Sequence, residues 1–266
     1  MTGQDEWRQW HDERVARLRE PFGILALVGT HWLEQEPAPI IPGEPVLWSG
    51  DATSVTVTAK AEHGLVLDGE TIDGTVTLTP DTEPNPSTVT AAGQYRLVPI
   101  VREGVPALRV YDPQAQTRQD FLGVAAFDYA PDWVRPARFT AYPEQRTESV
   151  LNADGRYRGL DLVGTVEFTT PAAGEAEAQT HSFAVERLAD GRLKAVFADA
   201  TSGKSTFRFR FLELPAPAAD GATVADFNRA HLPPCAFADH YVCPVPPAGN
   251  TLPLPVAAGE QSVQTR

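Results

Sequence analysis

Little in this chain of 266 residues is of a kind that declares a chemistry. It holds two cysteines and one methionine, which excludes a disulfide-dense scaffold and a methionine-rich adaptable surface. Its 22 Lys and Arg stand against 35 Asp and Glu, a net charge of −13, and no Lys/Arg-rich run offers a local exception. A phosphate backbone would be repelled, so nucleic acid is not an expected partner, and an anionic membrane is disfavoured for the same reason. No apolar run approaches the length of a membrane span. The first residues, MTGQDEWRQW, are polar and lack the apolar stretch of a secretion signal. The expectation is a cytoplasmic protein whose two cysteines are thiols. Local motifs are missing too: there is no G-x-S-x-G, H-E-x-x-H, P-loop, dinucleotide-binding glycine pattern or EF-hand loop. Each of those chemistries leans on a backbone geometry that leaves a trace, so their absence removes the common hydrolase, metalloprotease and nucleotide-binding readings.

What is present is β-structure. Prolines and glycines are spread between short apolar runs, as in a protein of many strands and turns. Residues Asp5 to Glu20 read as a helix with Trp7, Trp10, Val15 and Leu18 on one face, stopped by Pro21 and Gly23. That stripe suits packing on a sheet, and two tryptophans could also line a ligand pocket. Ile24–Val28 reads as a buried strand, and a proline-rich link runs from Pro37 to Pro45. Val55 and Val57, then Val76 and Leu78, alternate with polar neighbours, while Asp68-Gly69 and Asp73-Gly74 signal hairpins. Gln94–Val101 and Ala107–Tyr111 add strands, Asp112–Asp120 reads as a loop, and Phe121–Pro143 as an aromatic-dense link. The β pattern resumes in Leu162–Thr169, His181–Leu188, Arg192–Phe197 and Thr206–Leu214, with turns at Asp154-Gly155, Asp190-Gly191 and Ser202-Gly203. In the last strand Phe207, Phe209 and Phe211 share a face opposite Arg208 and Arg210. The predicted fold is all-β, a mostly antiparallel sandwich or barrel of about a dozen short strands. It carries one N-terminal amphipathic helix and a long proline-rich C-terminal coil. Residues 1–112 would hold the helix and a sandwich-like half and 113–266 a second β half, as two domains or one continuous one.

The densest stretch is Val224 to Glu260, which holds both cysteines, His231 and His240, and the run Asp226-Phe227-Asn228-Arg229. His231, Cys235, His240 and Cys243 supply four donors suited to tetrahedral zinc, at a spacing that matches no common finger, with Pro233-Pro234 stiffening the first interval. The other reading is two structural cysteines in a compact loop. A nucleophilic Cys235 would need access and a lowered thiol pKa. Asp199, Thr201, Ser202, Gly203 and Lys204 follow an apolar strand and read either as a hydrogen-bonded turn or as a strand end carrying polar groups into a cleft. Asp226 and Arg229 likewise either fix a ligand or satisfy backbone that no ladder reaches.

These residues carry a resemblance. The run Asp226 to Ala230, then Pro233 to Phe237, Cys243-Pro244, Asn250 and Ala258 to Glu260 resembles the C-terminal signature of the bacterial and archaeal family called domain of unknown function 1684. Gly23 to Gly29 with Trp32-Leu33, and Phe197 to Lys204, agree with it too. The resemblance implies relatedness without an assigned reaction. It implies that the cysteines recur without the histidines, since members usually have Tyr where this chain has His231, and vary at the position of His240. The defining polar set becomes Asp226, Asn228, Arg229, Asn250 and Glu260. In members the first half is similar to a forkhead-associated sandwich, a phosphothreonine reader, traced here by Leu67 to Gly74. The glycine- and Asn/Asp-rich loop after the Trp-Leu pair is shortened here to Glu34–Pro39, and the reader's Arg and Ser have no counterpart, which leaves the sandwich as scaffold.

Three readings of function follow. In the first, Asp199, Ser202, Arg210, Asp226, Asn228, Arg229, Asn250 and Glu260 fix a small polar molecule, with Glu260 available as acid or base and no cofactor implied. In the second, β edges and the proline-rich segment bind a partner chain. In the third, the C-terminal loop is purely structural and its polar groups satisfy backbone.

Overall fold

The structure is a computed structural model and describes residues 2–40, 43, 45–152, 155–170 and 178–266. Residues 41, 42 and 44 of the proline-rich link, and Asp154 of one expected turn, lie outside the described residues. Helix α1 spans Gly3–Leu18, beginning two residues before the expected start. Thr2 and Asp5 explain the earlier start, because Thr2 Oγ1 accepts from the Asp5 amide at 3.3 Å while Asp5 Oδ2 accepts from the Thr2 amide at 3.0 Å. The helix ends short of Glu20, where the following Pro21 restricts the backbone. The contact pattern separates residues 18–120 from a unit built of residues 1–17 and 121–266. This partition differs from a 1–112/113–266 division in that α1 goes almost wholly with the second half of the chain. No helix among the described residues is long and apolar enough to cross a membrane.

Residues 18–120 form antiparallel sheets. The strands are β1 (Leu27–Trp32), β2 (Leu47–Gly50), β3 (Val55–Ala59), β4 (Val66–Leu67), β5 (Glu70–Thr71), β6 (Gly74–Leu78), β7 (Val89–Ala91), β8 (Tyr95–Arg102) and β9 (Val105–Tyr111). They pair as a six-stranded sheet, β1-β9-β8-β7-β4-β5, and a three-stranded one, β2-β3-β6. Alternation decides which side chains meet: Trp48, Val55, Val57 and Leu78 from the small sheet pack with Val89, Leu97 and Leu108 from the large one, giving a sandwich core. Asp68 (φ 51°) and Gly69 (φ 89°) both take left-handed backbone, as a two-residue hairpin turn between β4 and β5 demands. Two expectations shift locally. Ile24–Ala26 is a single 3₁₀ turn rather than strand, with β1 starting at Leu27, and the segment read as loop ends in the short helix α2 (Gln116–Asp120).

The other unit contains β10 (Phe121–Ala126), β11 (Val134–Leu151), β12 (Tyr157–Thr169), β13 (Thr180–Arg187), β14 (Leu193–Phe197), β15 (Arg210–Leu214), β16 (Ala222–Asp226) and β17 (Glu260–Thr265). Six of these make one antiparallel sheet ordered β15-β14-β13-β12-β11-β16, curved so that its edge strands β15 and β16 approach each other as a half-barrel. The aromatic-dense link is thus largely strand, and Thr206–Leu214 is strand only from Arg210. The C-terminal stretch is not one uninterrupted coil. A 3₁₀ turn at Pro234–Ala236 and single bridges from His231 to Phe211, Pro244 to Asn152 and Thr251 to Ala198 punctuate it. It then ends in β17, which pairs with β10. The stretch fills the hollow of the half-barrel: Phe227, Leu252, Val256 and Ala258 join Val166, Phe183, Val185, Phe197 and Leu212 in one core. Phe227 is its centre, ringed by Phe168 at 5.1 Å, Trp133 at 5.5 Å, and Phe183 and Phe197 at 6.0 Å.

Candidate functional site

Closing a hollow with irregular chain buries backbone groups that no ladder satisfies, and the signature side chains meet that demand. Asp226 caps the 3₁₀ turn Phe227–Arg229, its Oδ1 accepting from the Asn228 amide at 3.1 Å. The Asn228 carboxamide accepts from Ala130 N–H at 2.9 Å and donates to Ala130 C=O at 3.0 Å, a mimic of a strand pair. Asn250 does the same across to Ala184, at 2.8 and 2.9 Å, and also donates to Val196 C=O. Arg210 is fully buried beneath the C-terminal chain. It donates to the carbonyls of Val256 and Ala258 and forms a 2.8 Å ion pair with Asp199. The other Asp199 oxygen accepts from Thr201 and Val256, and Ser202 Oγ accepts from the Asp199 amide at 3.0 Å. Burial pushes the Arg210 pKa down, with the Asp199 carboxylate opposing it.

Glu260, also fully buried, joins the two ends of this unit. Its carboxylate accepts Arg14 Nε at 2.7 Å and Nη2 at 3.2 Å in a fork, and the Leu232 amide at 2.7 Å. Trp7 Nε1 donates to Asn228 C=O at 2.7 Å. Trp7, Trp10, His11 and Arg14 therefore form the side of α1 that meets the half-barrel, held by directed polar bonds as well as by apolar packing. Gly259 (φ +79°) is obligatory at this crossing, because a Cβ there would lie 2.4 Å from Ala230 O and 2.7 Å from Phe227 O.

The seam left between β15 and β16 is a cleft of about 660 Å³. Trp10, Arg14 and Arg17 of α1 line it, with Glu213 and Leu214 of β15, Val224 and Asp226 of β16, and Arg192, Arg229 and His231. Of the eight residues expected to fix a ligand, only Asp226 and Arg229 reach this opening; the other six are engaged in the internal bonds described above. Four guanidiniums and two carboxylates line it, and two further carboxylates, Glu260 and Asp190, pair with Arg14 and Arg192 from behind the lining. Three of the arginines are braced, Arg14 by Glu260, Arg192 by Asp190 and Glu213, and Arg229 by Asp226. Arg17 is exposed and makes no ion pair with a described residue. Arg229 sits over the Trp10 ring at 5.7 Å, and the His231 ring lies 6.5 Å from Trp10. Burial, with the nearby Arg14 charge, drives the His231 pKa down to about 3, so its imidazole is neutral at ordinary pH. The sequence pointed to the tryptophan stripe but held no sign that Arg14, Arg17 and Arg192 converge; only the folded seam brings them together.

The four metal-donor candidates do not assemble. His231 faces the cleft, and among the described residues no three His, Cys, Asp or Glu side chains cluster at a metal-sized site. Cys235 and Cys243 do meet, as free thiols.

Among solved structures, this chain is similar to an uncharacterized protein of Haloarcula marismortui whose solution NMR structure is known. The two are 29% identical over 55% of this chain and 79% of that one, with a TM-score of 0.42. The comparison with curated proteins gave no match. The sequence profile described as "Protein of unknown function (DUF1684)" matches residues 119–261, which hold the six-stranded sheet and the closing segment as far as Gln261, and not the α1 residues of the seam. The chain belongs to that family.

Proposed function

We propose that the protein binds a small anionic molecule in the seam between β15 and β16. One observation carries this reading: four guanidiniums and an indole line a single cleft of about 660 Å³ in a protein whose net charge is −13. The volume is that of a small-molecule site. Arginine presents donors in a planar fork suited to carboxylate or phosphate, and bracing by Glu260, Asp226 and Glu213 lowers the entropy lost when a ligand engages the remaining N–H groups. Trp10, with Leu214, Pro215 and Val224, supplies an apolar wall for the rest of the ligand. His231 is neutral and hydrogen-bonded to Arg229 C=O at 3.2 Å. That arrangement favours binding over proton transfer, and the reading is of a binding site without an assigned reaction.

Isothermal titration with inorganic phosphate, succinate and phenyl phosphate tests it. Phenyl phosphate, which offers an anion and a ring, should bind the most tightly of the three. Arg17→Ala and Arg229→Ala should each weaken it about tenfold, the worth of one charge-assisted hydrogen bond. Arg17→Ala should leave the thermal midpoint in place. Absence of binding by all three probes, or equal binding by both variants and wild type, would refute the site.

A further inference from the structure

Cys235 and Cys243 stand apart from the cleft: neither lines it, and no bond described so far uses either sulfur. Cys235 occupies the 3₁₀ turn Pro234–Ala236 and is partly exposed, whereas Cys243 is 4% exposed. Proline precedes one and follows the other, at Pro234 and Pro244, which restricts the backbone at both. The Cys235 amide donates to Cys243 Sγ at 3.3 Å, so the second sulfur is folded back onto the first residue across a separation of eight positions. Cys243 and the Arg208 guanidinium are the two neighbours that favour a thiolate at Cys235. These two neighbours hold the Cys235 thiol below its ordinary pKa against the opposing effect of burial. Cys243, beside Cys235 and the deeper of the two, is pushed up. The arrangement is asymmetric: one partly exposed cysteine with a cation among its neighbours, and one buried cysteine folded against it.

We propose that Cys235 is a hydroperoxide-reactive thiol and Cys243 its resolving partner, the two closing into an intramolecular disulfide. In the first step the Cys235 thiolate attacks the distal oxygen of a hydroperoxide. An S–O bond forms and the O–O bond breaks; the leaving alkoxide or hydroxide takes a proton, and Cys235 becomes a sulfenic acid. In the second, the Cys243 sulfur attacks the sulfenic sulfur. The S–O bond breaks, an S–S bond forms, and the thiol proton leaves with the hydroxyl as water. The hydroperoxide is reduced by two electrons and the dithiol oxidised by two. Arg208 acts as a positioning residue that stabilises the thiolate and the departing oxygen. This inference does not depend on ligand binding in the seam.

Intact-mass spectrometry of the whole chain after stoichiometric hydrogen peroxide provides the test. Wild type should lose the mass of two hydrogens as a monomer, and dithiothreitol should restore it. Cys243→Ser should instead trap dimedone on Cys235, while Cys235→Ser should give no adduct at Cys243. Arg208→Gln should slow the reaction roughly threefold to tenfold. Because a cysteine variant can misfold, wild-type alkylation by iodoacetamide followed by peptide mapping is run alongside, with Cys235 expected to label well before Cys243. An unchanged wild-type mass, oxidation only to intermolecular dimers, or equal labelling of the two thiols would overturn the proposal.

Discussion

The two compact units solve the same problem with different materials. Every polar or charged residue that the structure buries outright among those described (Asn152, Thr170, Asp199, Thr201, Thr206, Arg210, Asn228, Asn250 and Glu260) lies in residues 121–266. The sandwich of residues 18–120 has an apolar core, with Val55, Val57, Ile100 and Leu108 fully enclosed. Regular ladders satisfy the sandwich backbone, so its interior needs only volume and alternation. The half-barrel is plugged by irregular chain, and side chains must supply the partners that a ladder would have supplied. Its specificity therefore lies in directed bonds. That is why Asp199, Arg210, Asn228, Asn250 and Glu260 are polar and yet turn inward.

Breaking the most deeply buried of these bonds should have the largest effect. Arg210→Met leaves Asp199 charged and unpaired, and should cost about 3–5 kcal/mol in urea titration; adding Asp199→Asn should recover part of it. Hydrogen exchange should assign the loss to the half-barrel, with the sandwich amides still protected. In the sandwich the comparable lesion is a cavity. Leu108→Ala should cost about 2–4 kcal/mol, and a charge change there would have no partner to rescue it. Asn250→Ala removes three hydrogen bonds and orphans Ala184 and Val196, an expected loss of about 2 kcal/mol by the same titration. A further test is pH. His231 is neutral in the folded state down to about pH 3 but protonates near 6.5 when unfolded, so the unfolded state takes up the extra proton. Stability should hold above pH 6.5 and decline as pH falls toward 3, with a slope contribution of at most about 1.4 kcal/mol per pH unit. In His231→Asn that part of the slope should vanish; an unchanged pH profile would show that His231 is not its source.

The same contrast explains what could be read from the sequence. Strand alternation at Val55/Val57 and Val76/Leu78 and the Asp68-Gly69 turn are local signals, and they placed the sandwich strands well. Arg210, flanked by Phe209 and Phe211, reads as the outward face of a strand. It is buried because a segment about 50 positions later lies across it, which no periodicity records. The candidate polar residues stand out in the sequence by their density, yet their orientation depends on which chain covers them. Arg14 is the extreme case, an ordinary helix arginine whose partner is 246 positions away. Helix α1 begins at Gly3 rather than Asp5 for a reason that is visible in the sequence, the Thr-x-x-Asp cap from Thr2 to Asp5. The seam itself left no trace, since a cleft made by two sheet edges that fail to join belongs to topology.

The Arg14–Glu260 fork has a consequence for biosynthesis. On the ribosome, Arg14 of α1 is made some 246 codons before its buried counterion. At roughly 5–20 residues per second, the helix waits on the order of 10–50 s before its docking surface exists. During that interval the sandwich, a compact unit of residues 18–120, can complete itself. Nascent chains stalled before residue 260 should show α1 open to protease while the sandwich resists it; a protected α1 in those chains would mean that docking precedes the fork. The last bond of the half-barrel thus waits on a carboxylate made 246 positions after the helix arginine it holds.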